Sequence, residues 1–217
     1  MSDIFNEVDE EVRRERLKQL WDRYSVYIIA LIVLLIAGVG AWRGYEYWTA
    51  QKAAVASTQF EEAAVLSEQG KSAEAEAAFT KIAADAPAGY RNLARLRAAA
   101  EIAKRDPTAA VAAYDALISD SSLELTMRDV AAIRAGLLLV DTAPFAEIQK
   151  RLDPMTGSSS AFRHTARELL ALSAWRNNDA AATRRYVDMI AADPETPATT
   201  RQRVDVLSAL IAADGKS

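Results

Sequence analysis

Cysteine is absent from this chain of 217 residues, and histidine occurs once, at His164. The first absence excludes a disulfide framework and any thiolate metal site. The second excludes a histidine pair, so His164 reads as a partly exposed helix residue rather than a catalytic base. Glycine and proline are sparse, at 8 and 6 residues. They form neither a G-x-S-x-G turn nor a glycine loop able to cradle phosphate. Ser158, Ser159 and Ser160 follow Gly157 and read as a connector. Alternating Val, Ile or Thr runs, the mark of half-buried strands, are missing too. The net charge of −4 is spread without a basic patch, which argues against nucleic acid as a partner. No enzyme, catalytic residue, cofactor, metal or small-molecule substrate is expected.

What is present begins with residues 24–42, YSVYIIALIVLLIAGVGAW, nineteen positions without a charge between Arg23 and Arg43. At 1.5 Å per residue they form a helix of about 28 Å, close to the ~30 Å hydrocarbon core of a bilayer. Trp21, Tyr24 and Tyr27 stand at one end and Trp42, Tyr45, Tyr47 and Trp48 at the other. Amphipathic rings in such places sit in the headgroup layer. The run predicts a transmembrane helix over residues 24–43, held in the lipid bilayer by Trp21, Tyr24, Trp42 and Arg43. One alternative is a buried core helix, which is rarely this long without a polar interruption beyond Ser25. A cleaved signal peptide is the other, since Gly38, Gly40 and Ala41 imitate a cleavage site. The 23-residue leader with its seven acids, and the length of the run, speak against it.

Lysine and arginine near each end set the orientation. Arg13, Arg14, Arg16, Lys18 and Arg23 precede the run, against Arg43 and Lys52 beyond it. That bias places the N-terminus in the cytoplasm. Residues 1–23 are then a cytoplasmic leader, and residues 44–217 lie outside, in the periplasm of a bacterium with two membranes. Ile4, Val8, Val12, Leu20 and Tyr24 recur at near-helical spacing, so the leader is expected to be an amphipathic helix. Gly40-x-x-x-Gly44 has the spacing of close helix packing, at the edge of the run beside Arg43. No proline stands between Trp42 and Gly70, which leaves open a helix continuous with the anchor.

About 170 residues follow, enough for one domain with its own core. They are rich in alanine and read as helices throughout, with breaks at Gly70, Pro87, Pro107, Ser122, Pro144, Pro154, Asn178 and Pro194. Ala75, Phe79 and Ile82 before Pro87 share their spacings with Ala110, Tyr114 and Leu117, and with Ala182, Tyr186 and Met189 before Pro194. Phe79 to Tyr114 is 35 residues and Tyr114 to Tyr186 is 72, two further lengths. Self-similarity of that period marks a helical repeat array. Ala75, Ala110 and Ala182 would let two helices approach, and Phe79, Tyr114 and Tyr186 would fill the gap between neighbours.

The stretch Glu68-Gln69-Gly70-Lys71-Ser72-Ala73-Glu74-Ala75, followed by Phe79 and Pro87, resembles the second half of a tetratricopeptide repeat. Gln59 and Ala94 then take the usual tryptophan place, and Ala63 and Ala98 the glycine place. Residues 124–154 hold a degenerate repeat whose clear end is Leu152-Asp153-Pro154. The whole chain resembles the YfgM-like family of ancillary SecYEG translocon subunits. The likeness rests on the leader Asp3-Ile4-Phe5-Asn6-Glu7-Val8, on Leu20-Trp21-Asp22-Arg23-Tyr24, on Ala88-Gly89-Tyr90-Arg91-Asn92 and on Asp193-Pro194-Glu195-Thr196-Pro197.

That resemblance implies an all-α protein of the bacterial inner membrane, with a single transmembrane helix followed by a tetratricopeptide-like helix-turn-helix solenoid. It also implies partners: the SecYEG translocon, and periplasmic chaperones that receive emerging chains. A repeat array offers a concave face lined by the first helix of each pair, where Phe60, Asn92, Arg95, Ala99 and Arg128 are the candidate binding residues. The carboxylate clamp of some tetratricopeptide proteins requires asparagine where Ala64 and Ala99 stand, so that mode is not expected. Two other readings stay open: a scaffold for another envelope complex, and a regulator that captures a cytosolic signalling protein through the leader.

Overall fold

The structure, a computed structural model, describes the backbone of residues 3–214 and the side chains of residues 14, 15 and 18–211. Among the described residues all regular structure is helical. The chain divides into two units, Met1–Ala54 and Val55–Ser217.

The first unit consists of helix α1 (Asp3–Glu68), which runs past Gly44 without a break and supplies the opening turns of the second unit. Its apolar run has no polar face, and among the described residues Val26, Val33, Leu34 and Ile36 are all exposed. No residue in its most apolar window is buried, and α1 is long and apolar enough to cross a membrane by length and composition. Of the leader's expected apolar stripe, Ile4, Val8 and Val12 lie outside the described side chains, while Leu20 and Tyr24 are exposed.

The second unit adds α2 (Ser72–Asp85), α3 (Ala88–Ala103), α4 (Pro107–Ile118), α5 (Leu125–Leu139), α6 (Phe145–Leu152), α7 (Arg163–Arg176), α8 (Ala180–Ala191) and α9 (Ala198–Asp214). A short 3-10 turn, Asp153–Met155, extends α6. The turns explain the boundaries. Gly70 and Asn178 both adopt the left-handed conformation, at φ +76° and +59°. Each ends its helix in a Schellman motif: Gly70 N–H donates to Ser67 O and Lys71 N–H to Leu66 O, as Asn178 N–H does to Trp175 O and Asp179 N–H to Ala174 O. Asp106 and Asp179 then cap α4 and α8 by accepting from the N–H groups of Ala109 and Ala182.

Four second helices share one register. Counting from the residue that precedes each, positions 4, 8 and 11 are Ala75, Phe79 and Ile82; Ala110, Tyr114 and Leu117; Ile148, Leu152 and Met155; Thr183, Val187 and Ile190. All twelve are buried. The preceding residues, Lys71, Asp106, Pro144 and Asp179, are separated by 35, 38 and 35 positions. The degenerate repeat is therefore complete, with three extra residues.

On the first helices, Ala63, Ala98, Gly136 and Ala171 hold the matching close-approach position, and all four are buried. Gly136 shows why the third repeat escapes a pattern search. Its second helix carries Ile148 where the others carry a smaller residue, and a Cβ on Gly136 would meet Leu152 at 3.0 Å. The bulk has moved to one helix and the gap to the other.

The register also corrects one expectation. Ala182 is only partly buried, at the edge of the C-terminal cluster, and Thr183 takes the closely packed position. A hydroxyl can be buried there because Thr183 Oγ1 donates to Asp179 O at 2.7 Å. Tyr186 is fully buried beside it, and its hydroxyl donates to Asp153 at 2.9 Å.

Candidate protein-interaction surface

The five candidate binding residues do not share one face. Phe60 packs edge-on against Phe79 at 5.1 Å and lies 6.1 Å from Tyr90, so its ring belongs to the first core cluster. Asn92 is half-buried on α3. Arg95 donates to Asp120 at 2.7 Å and ties α3 to the turn after α4. The Ser122 hydroxyl above all, and then Arg95, pull Asp120 down to about 2. Ala99 is 1 % exposed inside the second cluster and cannot line a binding face, because α3 turns it toward Ala110 and Tyr114. Arg128 alone opens onto a groove.

That groove, of about 560 Å³, lies between α4, α5 and α6 with its 3-10 extension. Ile118, Leu125, Ala132, Pro154 and Met155 give its apolar lining. On one wall Arg151 joins two helices: it pairs with Asp115 on α4, where its Nη2 donates at 3.0 Å, and with Glu147 one turn back at 3.3 Å. The Asp115 bond, against the opposing effect of burial, raises the Arg151 guanidinium further. Arg128, by contrast, makes no side-chain hydrogen bond or ion pair among the described residues, and its Nε is buried without a partner. Asp129, next to it, is pushed up by burial, against the opposing pull of the Arg128 charge. Sequence reasoning reached Arg128 by its place in the repeat but missed Arg151, Asp115 and Lys150, which come from helices about 20 to 40 positions apart.

Two polar clusters elsewhere are structural joints. Glu101, 2 % exposed, accepts from Ser67 Oγ and from Lys104 Nζ at 2.7 Å. Burial pushes its carboxyl up, but the Lys104 and Ser67 bonds outweigh that and hold it down. At the other end Arg167, 6 % exposed, occupies on α7 the place that Ala94 holds on α3. It donates to Thr156 O at 2.9 Å, Met189 O at 3.2 Å and Asp193 at 2.8 Å. Arg163 bonds the same Asp193 oxygen at 2.8 Å. Arg163 first, against burial, and then Arg167 hold Asp193 well below the usual carboxylate range. His164 lies half-buried beside this pair, 3.2 Å from Thr196 Oγ1, and burial and then Arg163 lower it. These bonds tie α7 to the turn after α6 through Thr156, to α8 through Met189 and to the turn before α9 through Asp193.

Trp21, Tyr24 and Trp42 are exposed, and Arg43 reaches Glu46 at 3.5 Å. One turn beyond, the Lys52 ammonium sits 3.8 Å from the centre of the Trp48 ring. Among the described residues no group of three or more His, Asp or Glu side chains is placed to hold a metal.

Paired helices in a constant register, with polar clusters committed to joints and an open groove between α4, α5 and α6, define a helical-repeat module of the kind that binds proteins. A family model described as "Tetratricopeptide repeat-like domain" matches residues 18–204, and the chain belongs to that family. Neither the curated proteins nor the solved structures contain a match. Domains of this kind generally mediate protein–protein interaction and are typically non-catalytic.

Proposed function

We propose that this protein is a non-enzymatic, membrane-anchored interaction subunit that stands beside the SecYEG translocon and links it to periplasmic chaperones. The observation that carries the anchored part is the apolar segment of α1, whose most apolar window has no buried residue among those described. The family match starts at residue 18 and so takes in this segment together with the repeats. The excess of Lys and Arg before residue 24 supports a cytoplasmic N-terminus with residues 44–217 in the periplasm. The translocon is supported by the leader and by the Ala88–Asn92 and Asp193–Pro197 phrases of the sequence.

Purification of the full chain in mild detergent, with quantitative mass spectrometry, tests the assignment. SecYEG subunits and at least one periplasmic chaperone should be enriched over a control membrane protein. Their absence, with another envelope complex or a cytosolic regulator enriched instead, would overturn it.

A further inference from the structure

We infer that the groove between α4, α5 and α6 binds a short protein segment through an acidic side chain, with Arg128 as its receptor and an adjoining apolar side chain seated on Leu125 and Met155. This rests on the interaction-subunit reading, but not on which complex the protein accompanies. Asp115 and Glu147 are both committed to Arg151. Two cations of the groove remain without an ion pair, Arg128 and Lys150. Asp129 follows Arg128 directly on α5, and neighbouring positions on a helix do not face each other. Its charge acts on the guanidinium through space, but among the described residues it makes no hydrogen bond or ion pair with it.

A buried N–H donor with no acceptor carries a desolvation penalty that an incoming carboxylate relieves. Reorienting Arg128 toward a ligand breaks no hydrogen bond, whereas Arg151 would have to release two helices. The fork of a guanidinium matches a carboxylate with two parallel hydrogen bonds, and these are among the strongest in proteins. Leu125 is 64 % exposed at the mouth, an apolar side chain that a monomeric domain leaves uncovered at a cost. The groove volume of about 560 Å³ falls within the range of sites that bury most of a small ligand, so a few residues of a partner suffice.

The test uses the full chain in lipid nanodiscs and three fluorescent peptides, each acetylated and amidated, of sequence Ala-Leu-Glu-Leu-Ala, Ala-Leu-Gln-Leu-Ala and Ala-Leu-Lys-Leu-Ala. Fluorescence anisotropy should show the glutamate peptide binding about tenfold or more tightly than the glutamine peptide, as expected for a charge-assisted pair. The preference should vanish in Arg128→Gln, and survive in Arg134→Gln, an exposed arginine of the same helix away from the groove. Lys150→Gln should weaken it only a few-fold. Circular dichroism of each variant excludes misfolding as the cause.

Equal binding of the glutamate and glutamine peptides, no saturable binding at millimolar concentration, or a preference that persists without Arg128 would each overturn the inference. So would a requirement for a free C-terminal carboxylate, tested with the unamidated glutamine peptide. None of these outcomes bears on co-purification with the translocon.

Discussion

Ile36 in the first unit and Ile190 in the second are the same residue in two surroundings. Ile36 is 67 % exposed on α1, within a run where every neighbour is apolar as well, and Ile190 has no exposed surface. In the second unit an apolar residue is buried because a neighbouring helix offers a complementary gap, as Gly136 does for Leu152. In the first unit no such gap exists among the described residues, and the proposed anchoring accounts for the exposure, because a bilayer is a solvent that is itself apolar. The same side chain therefore reports packing in one place and, under the proposed anchoring, lipid in the other.

A matched pair of truncations breaks or confirms that contrast. Ile190→Ala should lower the stability of the repeats by about 2–5 kcal/mol, read from denaturant unfolding followed by circular dichroism. Ile36→Ala should leave the same unfolding curve unchanged, and a comparable loss there would mean that α1 is packed against protein. A charge sharpens the comparison from the other side. Leu34→Arg should cost about 2.5–3.5 kcal/mol of insertion and move the protein out of the membrane fraction after an alkaline wash. Within the repeats, Gly136→Val forces a branched side chain against Leu152 and should destabilise by about 1–3 kcal/mol. Gly44→Val, on the uncovered part of α1, should not, because nothing lies within 4 Å of an added Cβ there.

The smallest expected effect is electrostatic. Asp193 and Asp120 have folded-state pKa values below the unfolded 3.8, so the stability they lend is complete above pH 3.8 and drains as pH falls toward 2. Helicity against pH should therefore fall on the acid side in the native protein, with a flatter acid limb in Asp193→Asn. The first unit offers no such contribution from its apolar run. An unchanged acid limb in the variant would show that the Arg163–Asp193–Arg167 joint does not hold α9.

The sequence made most of the fold legible because its punctuation is physical. Gly70, Asp106 and Pro144 stop or start helices for reasons of backbone conformation, and the helices break there. The apolar run was legible for the same reason: its length alone matches a bilayer. What stayed hidden depended on pairs. The third repeat was unreadable because Ile148 and Leu152 make sense only with Gly136 across from them. The fourth was read one residue out of register, since Thr183 looks polar until its hydroxyl is seen bonded to Asp179 O. In the candidate site Arg128 could be picked by position, but its isolation could not. That property depends on Arg151, which takes Asp115 and Glu147.

The absence of cysteine makes the central claim directly measurable, because one introduced thiol can be labelled without background. Glu15→Cys and Ser159→Cys place that thiol at exposed positions, one in the leader before the apolar run and one in the loop before α7. A membrane-impermeant maleimide added to intact spheroplasts should label Ser159→Cys at once, and Glu15→Cys only after the membrane is permeabilised. Labelling of both positions from the same side would contradict a single crossing by α1, and labelling of Glu15→Cys alone would reverse the orientation.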